Sequence, residues 1–414
     1  MAETGAETAE AKARAALEYD YLQTTTAIRD RANVVLEAAR RGTLAHFRLN
    51  EAALPAVAER VIAVTRQHYP DVGAIPYHGR YRHFDVGGVA RLARFQQSIA
   101  DFDVDDRLRA STELVITSVL LDAGAGAAWQ YREPDGRSFS RSEGLAVASY
   151  HLFMSGALAS DHSTSADAFG LASLDEARLA SAFQVTDQNP LISVAGRANL
   201  LKKLGEVVRN TPGYFDSTRP RLGDLGVWLK RASSANGGRL PATSVLHAVL
   251  EALGAIWPGR EKLAGKPLGD VWRHARFGLV PFHKLSQWLS YSLFEPLEAA
   301  GVVITDIDEL TGLPEYRNGG LFLDAGVLQL VEPRQSELLH QVSSELVIEW
   351  RALTVALLDG LADVVRARLG LSREALPLAR VLEGGSWRAG REIASELRPG
   401  GPPPLTIDSD GTVF

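Results

Sequence analysis

The chain of 414 residues has no cysteine, which excludes disulfides, thiolate metal sites and cysteine nucleophiles together. Long apolar runs are also missing. No window reaches the roughly 18 uninterrupted apolar residues expected of a bilayer-crossing helix, and the opening MAETGAETAEAKARAAL is acidic where a secretory leader would be apolar. The expectation is a cytoplasmic protein with no membrane partner. Positive charge is not in surplus, because 44 Lys and Arg face 50 Asp and Glu for a formal net charge of −6. A broad surface for nucleic acid needs a clustered positive field, so no nucleic-acid partner is expected. There is no GxxxxGK[ST] phosphate loop, no GxSxG elbow, no HExxH helix and no paired-aspartate run of the kind that holds phosphoribosyl pyrophosphate. Kinase, serine-hydrolase and ordinary phosphoribosyltransferase chemistry are therefore disfavoured, and neither a metal nor an organic cofactor is called for.

What is present is apolar and helical. A hydrophobic fraction of 46% is enough to bury a large core. EYDYLQTTTAIRDRANVVLEAARRG predicts one amphipathic helix stopped by Gly42, and LPAVAERVIAVTRQHYP predicts another stopped at Pro70. Ser140 with Glu143, and Ser173 with Glu176, have the spacing of capping boxes at two later helix starts. STELVITSVLLD predicts an apolar helix ending at Asp122, and the Pro134-Asp135-Gly136 turn that follows suits a short hairpin near residues 129 to 140. VPFHKLSQWLSYSLFEPLEAAG fits a helix ending at Gly301, and SELLHQVSSELVIEWRALTVALLDGLADVVRARLG carries the longest helical pattern. With no repeat or long linker, the expected architecture is mainly α. It comprises a disordered tail over 1–14, a single large helical domain over 15–398 with at most a short β-hairpin, and an extended tail over 399–414.

Four polar clusters interrupt this pattern. IPYHGRYRHFDVGG gathers Arg80, Arg82 and His83 with Tyr77, His78 and Phe84, which suits either a phosphate clamp or a solvated loop. LLDAGAGAAW sets Asp122 at a helix C-terminus, an electrostatically unfavourable place, ahead of small residues and Trp129. A dinucleotide loop is excluded there, because the preceding segment reads as helix and the third glycine is absent. Lys284, Gln287 and Tyr291 share one helix face that has the character of a pocket wall, with Arg273 and His274 just upstream. LTGLPEYRNGGLFLDAG combines Glu315, Tyr316, Arg317 and Asp324 around Gly319-Gly320 in a turn-prone stretch where backbone permits close approach.

Taken together with the terminal EGGSWRAGREIASELRPGGPPPLTIDSDGTVF, these clusters resemble the family of uracil catabolism protein 4 over nearly the whole chain. A more distant resemblance is to the queuosine 5′-phosphate N-glycosylases, all-helical and distantly like DNA glycosylases. Those enzymes carry an Asp seven residues before a Trp, a Lys-x-x-Gln helix and an Asp-Tyr-Arg triplet. The same order runs here as Asp122 to Trp129, Lys284 to Gln287, and Glu315-Tyr316-Arg317, with Glu in place of the triplet's Asp and Ser292 where the relatives have an Asp.

The resemblance implies a monomeric or homodimeric N-glycosidase acting on a small ribosyl-phosphate such as ribosylurea 5′-phosphate. Glu315 and Asp122 would be its catalytic acids. Arg82, His83, Trp129, Arg273, Lys284, Gln287, Tyr316, Arg317, Phe322 and Asp324 would bind substrate. The other readings are a non-catalytic nucleotide-binding partner of the same pathway and a uracil phosphoribosyltransferase-like enzyme.

Overall fold

A computed structural model describes residues 3–122, 124–126, 128–257 and 261–408. The chain divides into two compact units. The first comprises the described residues among 1–77, 258–287 and 306–413, and the second those among 78–257 and 288–305. The fold is mainly α, as the periodicity predicts, and no described helix is long and apolar enough to cross a membrane.

The first unit is organised around the helix Glu345–Leu369. Every residue from Leu346 to Leu358 is buried, so this helix is enclosed on all faces and serves as the core itself. Ser344 caps its start and Gly370, at φ +67°, ends it in the left-handed conformation that glycine adopts without a Cβ clash. Helices Thr25–Arg40 and Leu54–His68 pack against it, as does the short helix Tyr316–Asp324, which also lies against Trp387–Leu397. The single helix expected from residue 18 to Gly42 is in fact two, Glu3–Leu22 and Thr25–Arg40. Thr24 makes the break, because its hydroxyl accepts from the Ala27 N–H at 3.1 Å and starts a new N-terminus.

In the second unit, helix Val104–Leu120 packs on Arg141–Met154 and Asp224–Ser234, and Val194–Asn210 packs on Ala168–Ser173 and Glu176–Ala182. The predicted hairpin is present, with Gln130–Arg132 antiparallel to Ser138–Ser140. The strand content exceeds that hairpin, since six two-stranded pairs occur among the described residues, all of them short. Two of these are parallel pairs between segments distant in sequence, Arg239–Pro241 with Val303–Thr305 and Leu339–Gln341 with Thr406–Asp408. Pairing of this kind leaves no local hairpin signal.

Neither capping box forms as spaced. Ser140 occupies an N-cap position without a side-chain cap bond. Ser173 closes the preceding helix, and Asp175 does the capping, accepting from the Arg178 N–H at 2.8 Å.

Candidate functional site

The sequence-predicted residues fall into two groups by unit: Arg273, Lys284, Gln287, Glu315, Tyr316, Arg317, Phe322 and Asp324 in the first, and Arg82, His83, Asp122 and Trp129 in the second.

In the first unit, the stretch expected to be a turn is the start of a helix. Glu315 is the N-cap of Tyr316–Asp324, and its two carboxylate oxygens each accept a backbone N–H at 2.6 Å, Oε2 from Arg317 and Oε1 from Asn318. The positive end of the helix dipole and two charge-assisted bonds thus hold a largely buried carboxylate in one orientation. The segment leading into it is fixed just as closely. Gln287, fully buried, donates to Thr311 Oγ1 at 2.5 Å and accepts from Thr311 N–H at 2.7 Å. Arg351 donates to the Pro314 carbonyl at 3.4 Å while binding Asp270 through both terminal nitrogens at 2.8 Å. That guanidinium holds the Asp270 carboxyl well below the usual range against the opposing effect of burial. Asp270 also accepts the backbone N–H of Lys284 at 3.0 Å, anchoring the start of that helix. Gln287 therefore positions the Glu315 loop through hydrogen bonds that use its whole amide.

Arg317 is the unusual group. It is 4% exposed, its Nη1 donates only to the Gly401 carbonyl at 2.9 Å, and its guanidinium lies 4.8 Å from the Tyr316 ring centroid. It has no carboxylate partner among the described residues, and its Nε is buried without a hydrogen bond. A buried cation left in this state is costly, and an anion would relieve the cost.

Other predicted residues are placed in supporting roles. Phe322 is fully buried in the core, and Asp324 is paired with Arg398 at 2.8 and 2.5 Å. Arg273 is exposed on its strand and paired with Glu261 at 3.1 Å. Gly319 and Gly320 do not leave open space. A Cβ on Gly319 would meet Trp350 Cε2 at 2.8 Å, and one on Gly320 would meet Pro404 Cδ at 3.1 Å, so the close approach is to the chain's own side chains.

In the second unit, Asp122 follows the C-terminus of helix Val104–Leu120 and is compensated by side chains. Ser142 Oγ donates to its Oδ2 at 2.5 Å, and Arg80 Nη1 lies 3.1 Å from the same oxygen. Arg80 is fully buried and is held further by Ser118 at 2.7 Å and by His83 Nδ1 at 3.2 Å. Burial pushes its guanidinium pKa down. Arg197 donates to the carbonyls of Leu121 at 2.5 Å and Gly124 at 3.0 Å, and burial lowers its pKa to about 10. Ser292 accepts from the Arg80 backbone N–H at 2.9 Å. His83 thus supports Arg80. Arg82 is exposed and paired with Glu295, and Trp129 is wholly buried, donating its indole N–H to the Phe183 carbonyl at 2.9 Å.

Sequence reading missed Ser142, Arg351 and Asp270. Arg80 stood inside a quoted cluster, but nothing in the sequence marked it as the buried one. It also missed Glu383, in the π-helical turn Leu382–Ser386, which accepts from the Tyr69 hydroxyl at 3.0 Å; burial, and secondarily Glu383, push the pKa of that hydroxyl up to about 12. The same turn bonds to the Glu315 helix, Ser386 Oγ donating to Asn318 Oδ1 at 2.9 Å. Among the described residues no cluster of three or more His, Cys, Asp or Glu is arranged to hold a metal.

The fold and these clusters define a mainly α protein with a fixed, dipole-held carboxylate beside a buried, uncompensated arginine. A family profile described as protein of unknown function (DUF1688) matches residues 21–414, and the chain belongs to that family. It is similar to Protein urg3 of Schizosaccharomyces pombe, 40% identical over 398 residues covering 94% of this chain and 96% of the relative. It is likewise similar to Uracil catabolism protein 4 of Lachancea kluyveri, 38% identical over 408 residues covering 89% and 92%.

Proposed function

We propose that this protein acts in uracil catabolism as an N-ribosyl hydrolase, cleaving the C–N bond of a pyrimidine-derived ribosyl phosphate such as ribosylurea 5′-phosphate. The name of the Lachancea kluyveri relative, Uracil catabolism protein 4, supplies the pathway, and the placement of Glu315 beside Arg317 carries the reaction. Breaking an N-ribosidic bond builds positive charge on the anomeric carbon and ring oxygen, which a fixed carboxylate stabilises. The Glu315 carboxylate is oriented by two backbone N–H groups, so little reorganisation is needed as charge develops. The adjacent Arg317 offers a buried cation to a phosphate or carbonyl oxygen. Water adds its oxygen to the anomeric carbon, the C–N electron pair leaves with the nitrogen, and a proton from that water ends on the departing urea nitrogen. The products are ribose 5-phosphate and urea.

One observation favours a second reading, the non-catalytic nucleotide-binding partner: both Glu315 oxygens already serve as a helix cap. Single-turnover hydrolysis of ribosylurea 5′-phosphate separates the two. Glu315→Gln should retain binding and lose about 10²- to 10⁴-fold in rate, and Glu315→Asp should retain part of the rate. Wild-type protein that binds the compound and never releases ribose phosphate would establish the binding-partner reading instead.

A further inference from the structure

The second unit holds a groove that none of these residues explains. It has a volume of about 610 Å³, and its lining combines apolar Leu152, Leu174 and Ala177 with Tyr131, His151 and Arg178. That volume is in the range of small-molecule sites. The Tyr131 and His151 rings are stacked, with centroids 5.6 Å apart and planes 18° from parallel. His151 is kept in that pose by Glu133, whose Oε1 lies 2.9 Å from its Nε2. Glu133 is neutralised in turn by fully buried Arg91, which donates to it from Nε at 2.9 Å. The carboxylate nearest the ring stack therefore projects no uncompensated negative charge.

Two polar groups are left over. Tyr131 is 7% exposed, and its hydroxyl, which makes no hydrogen bond among the described residues, is not sealed from solvent. The Arg178 side chain is exposed and makes no ion pair among them, and Asp175, the acid beside it, accepts the Arg178 backbone N–H at 2.8 Å. The groove wall is itself well anchored: Trp129, two residues before Tyr131, stacks on Phe183 at 6.1 Å and bonds its carbonyl, which ties the hairpin to the end of helix Glu176–Ala182.

We propose that this groove is a small-molecule site for a planar ring carrying an anionic group. The ring lies against the Tyr131–His151 stack, its carbonyl accepts from the Tyr131 hydroxyl, and its carboxylate or phosphate pairs with Arg178. The proposal is independent of the hydrolase reading, whose carboxylate and arginine are in the other unit.

The test is calorimetry on the full chain with three probes: orotate, a pyrimidine carboxylate; uracil, the same ring without the charge; and inorganic phosphate, a charge without the ring. Orotate should bind saturably and at least roughly tenfold more tightly than either of the others. Arg178→Ala, a change at an exposed position, should weaken orotate about tenfold, and Tyr131→Phe, which keeps the stack and removes the hydroxyl, about threefold. Glu315→Gln should leave orotate affinity unchanged. The proposal is overturned if orotate shows no saturable binding at millimolar concentration, if uracil or phosphate binds as tightly, if neither groove variant alters its affinity, or if Glu315→Gln abolishes it.

Discussion

Glu315 in the first unit and Asp122 in the second are both buried or nearly buried carboxylates at helix ends, and they are stabilised in opposite ways. Glu315 stands at an N-terminus, where two main-chain N–H groups and the helix dipole suffice. Asp122 stands past a C-terminus, where the dipole is unfavourable, and Arg80 and Ser142 must be brought in from other elements. Glu349, in the first unit, shows what happens with less of either. It is 1% exposed, accepts the His46 N–H at 3.2 Å and lies 3.6 Å from His274 Nε2, and burial pushes its pKa up to about 7. A carboxylate can be compensated by backbone N–H groups or by a cation, but the backbone solution is available only at one end of a helix.

Breaking the cation solution should have the largest effect. Arg80→Met leaves the Asp122 carboxylate without its arginine and should cost about 3–5 kcal/mol in denaturant unfolding. The double variant with Asp122→Asn should recover most of that loss, because the uncompensated charge is then gone.

Glu349 gives the next effect, and it depends on pH. Its folded pKa of about 7 is above its ordinary 4.5, so folding favours the protonated acid. Its penalty is absent below pH 4.5, grows as pH rises towards 7, and is constant above. Glu349→Gln should therefore gain up to about 3 kcal/mol over wild type between pH 5 and pH 8. His46 and His274, both pushed down by burial, contribute the opposite slope, with stability rising as pH rises towards 6.5 and constant above it. The difference between variant and wild type isolates Glu349 from them, and a difference flat with pH would contradict the assignment.

The smallest effect belongs to the backbone solution. Glu315→Ala removes a helix cap and should cost about 1–2 kcal/mol of stability, while abolishing hydrolysis if the proposed reaction is correct. A variant that loses stability but keeps its rate would identify Glu315 as a cap alone.

These carboxylates also mark how far the sequence could be read. The misplacement of Asp122 against the helix dipole was visible from LVITSVLLDAG, and so was the need for compensation. Its source was not, since Arg80 precedes Asp122 by 42 positions and nothing local sets it apart from Arg82. Glu315 was legible as a chemically loaded position, but its helix was not, because Pro314 and Gly319-Gly320 read locally as a turn. Packing against Trp350, Thr354 and Pro404 overrides that preference.

The longest predicted helical pattern, which began at Ser336, is helical only over Glu345–Leu369, because Leu339–Gln341 pairs as a strand. By itself the sequence determined the helical class, the extent of the strongly periodic helix Leu54–His68 and the hairpin after Trp129. Each of these rests on residues within a few turns of one another, where spacing decides geometry. Only the tertiary structure decided which arginine is buried, that Gln287 clamps Thr311, that Arg317 has no carboxylate among the described residues, and that Thr406–Asp408 pairs with Leu339–Gln341. Those outcomes depend on the free energy of burying charge and backbone against partners remote in the chain, and no local pattern encodes that balance.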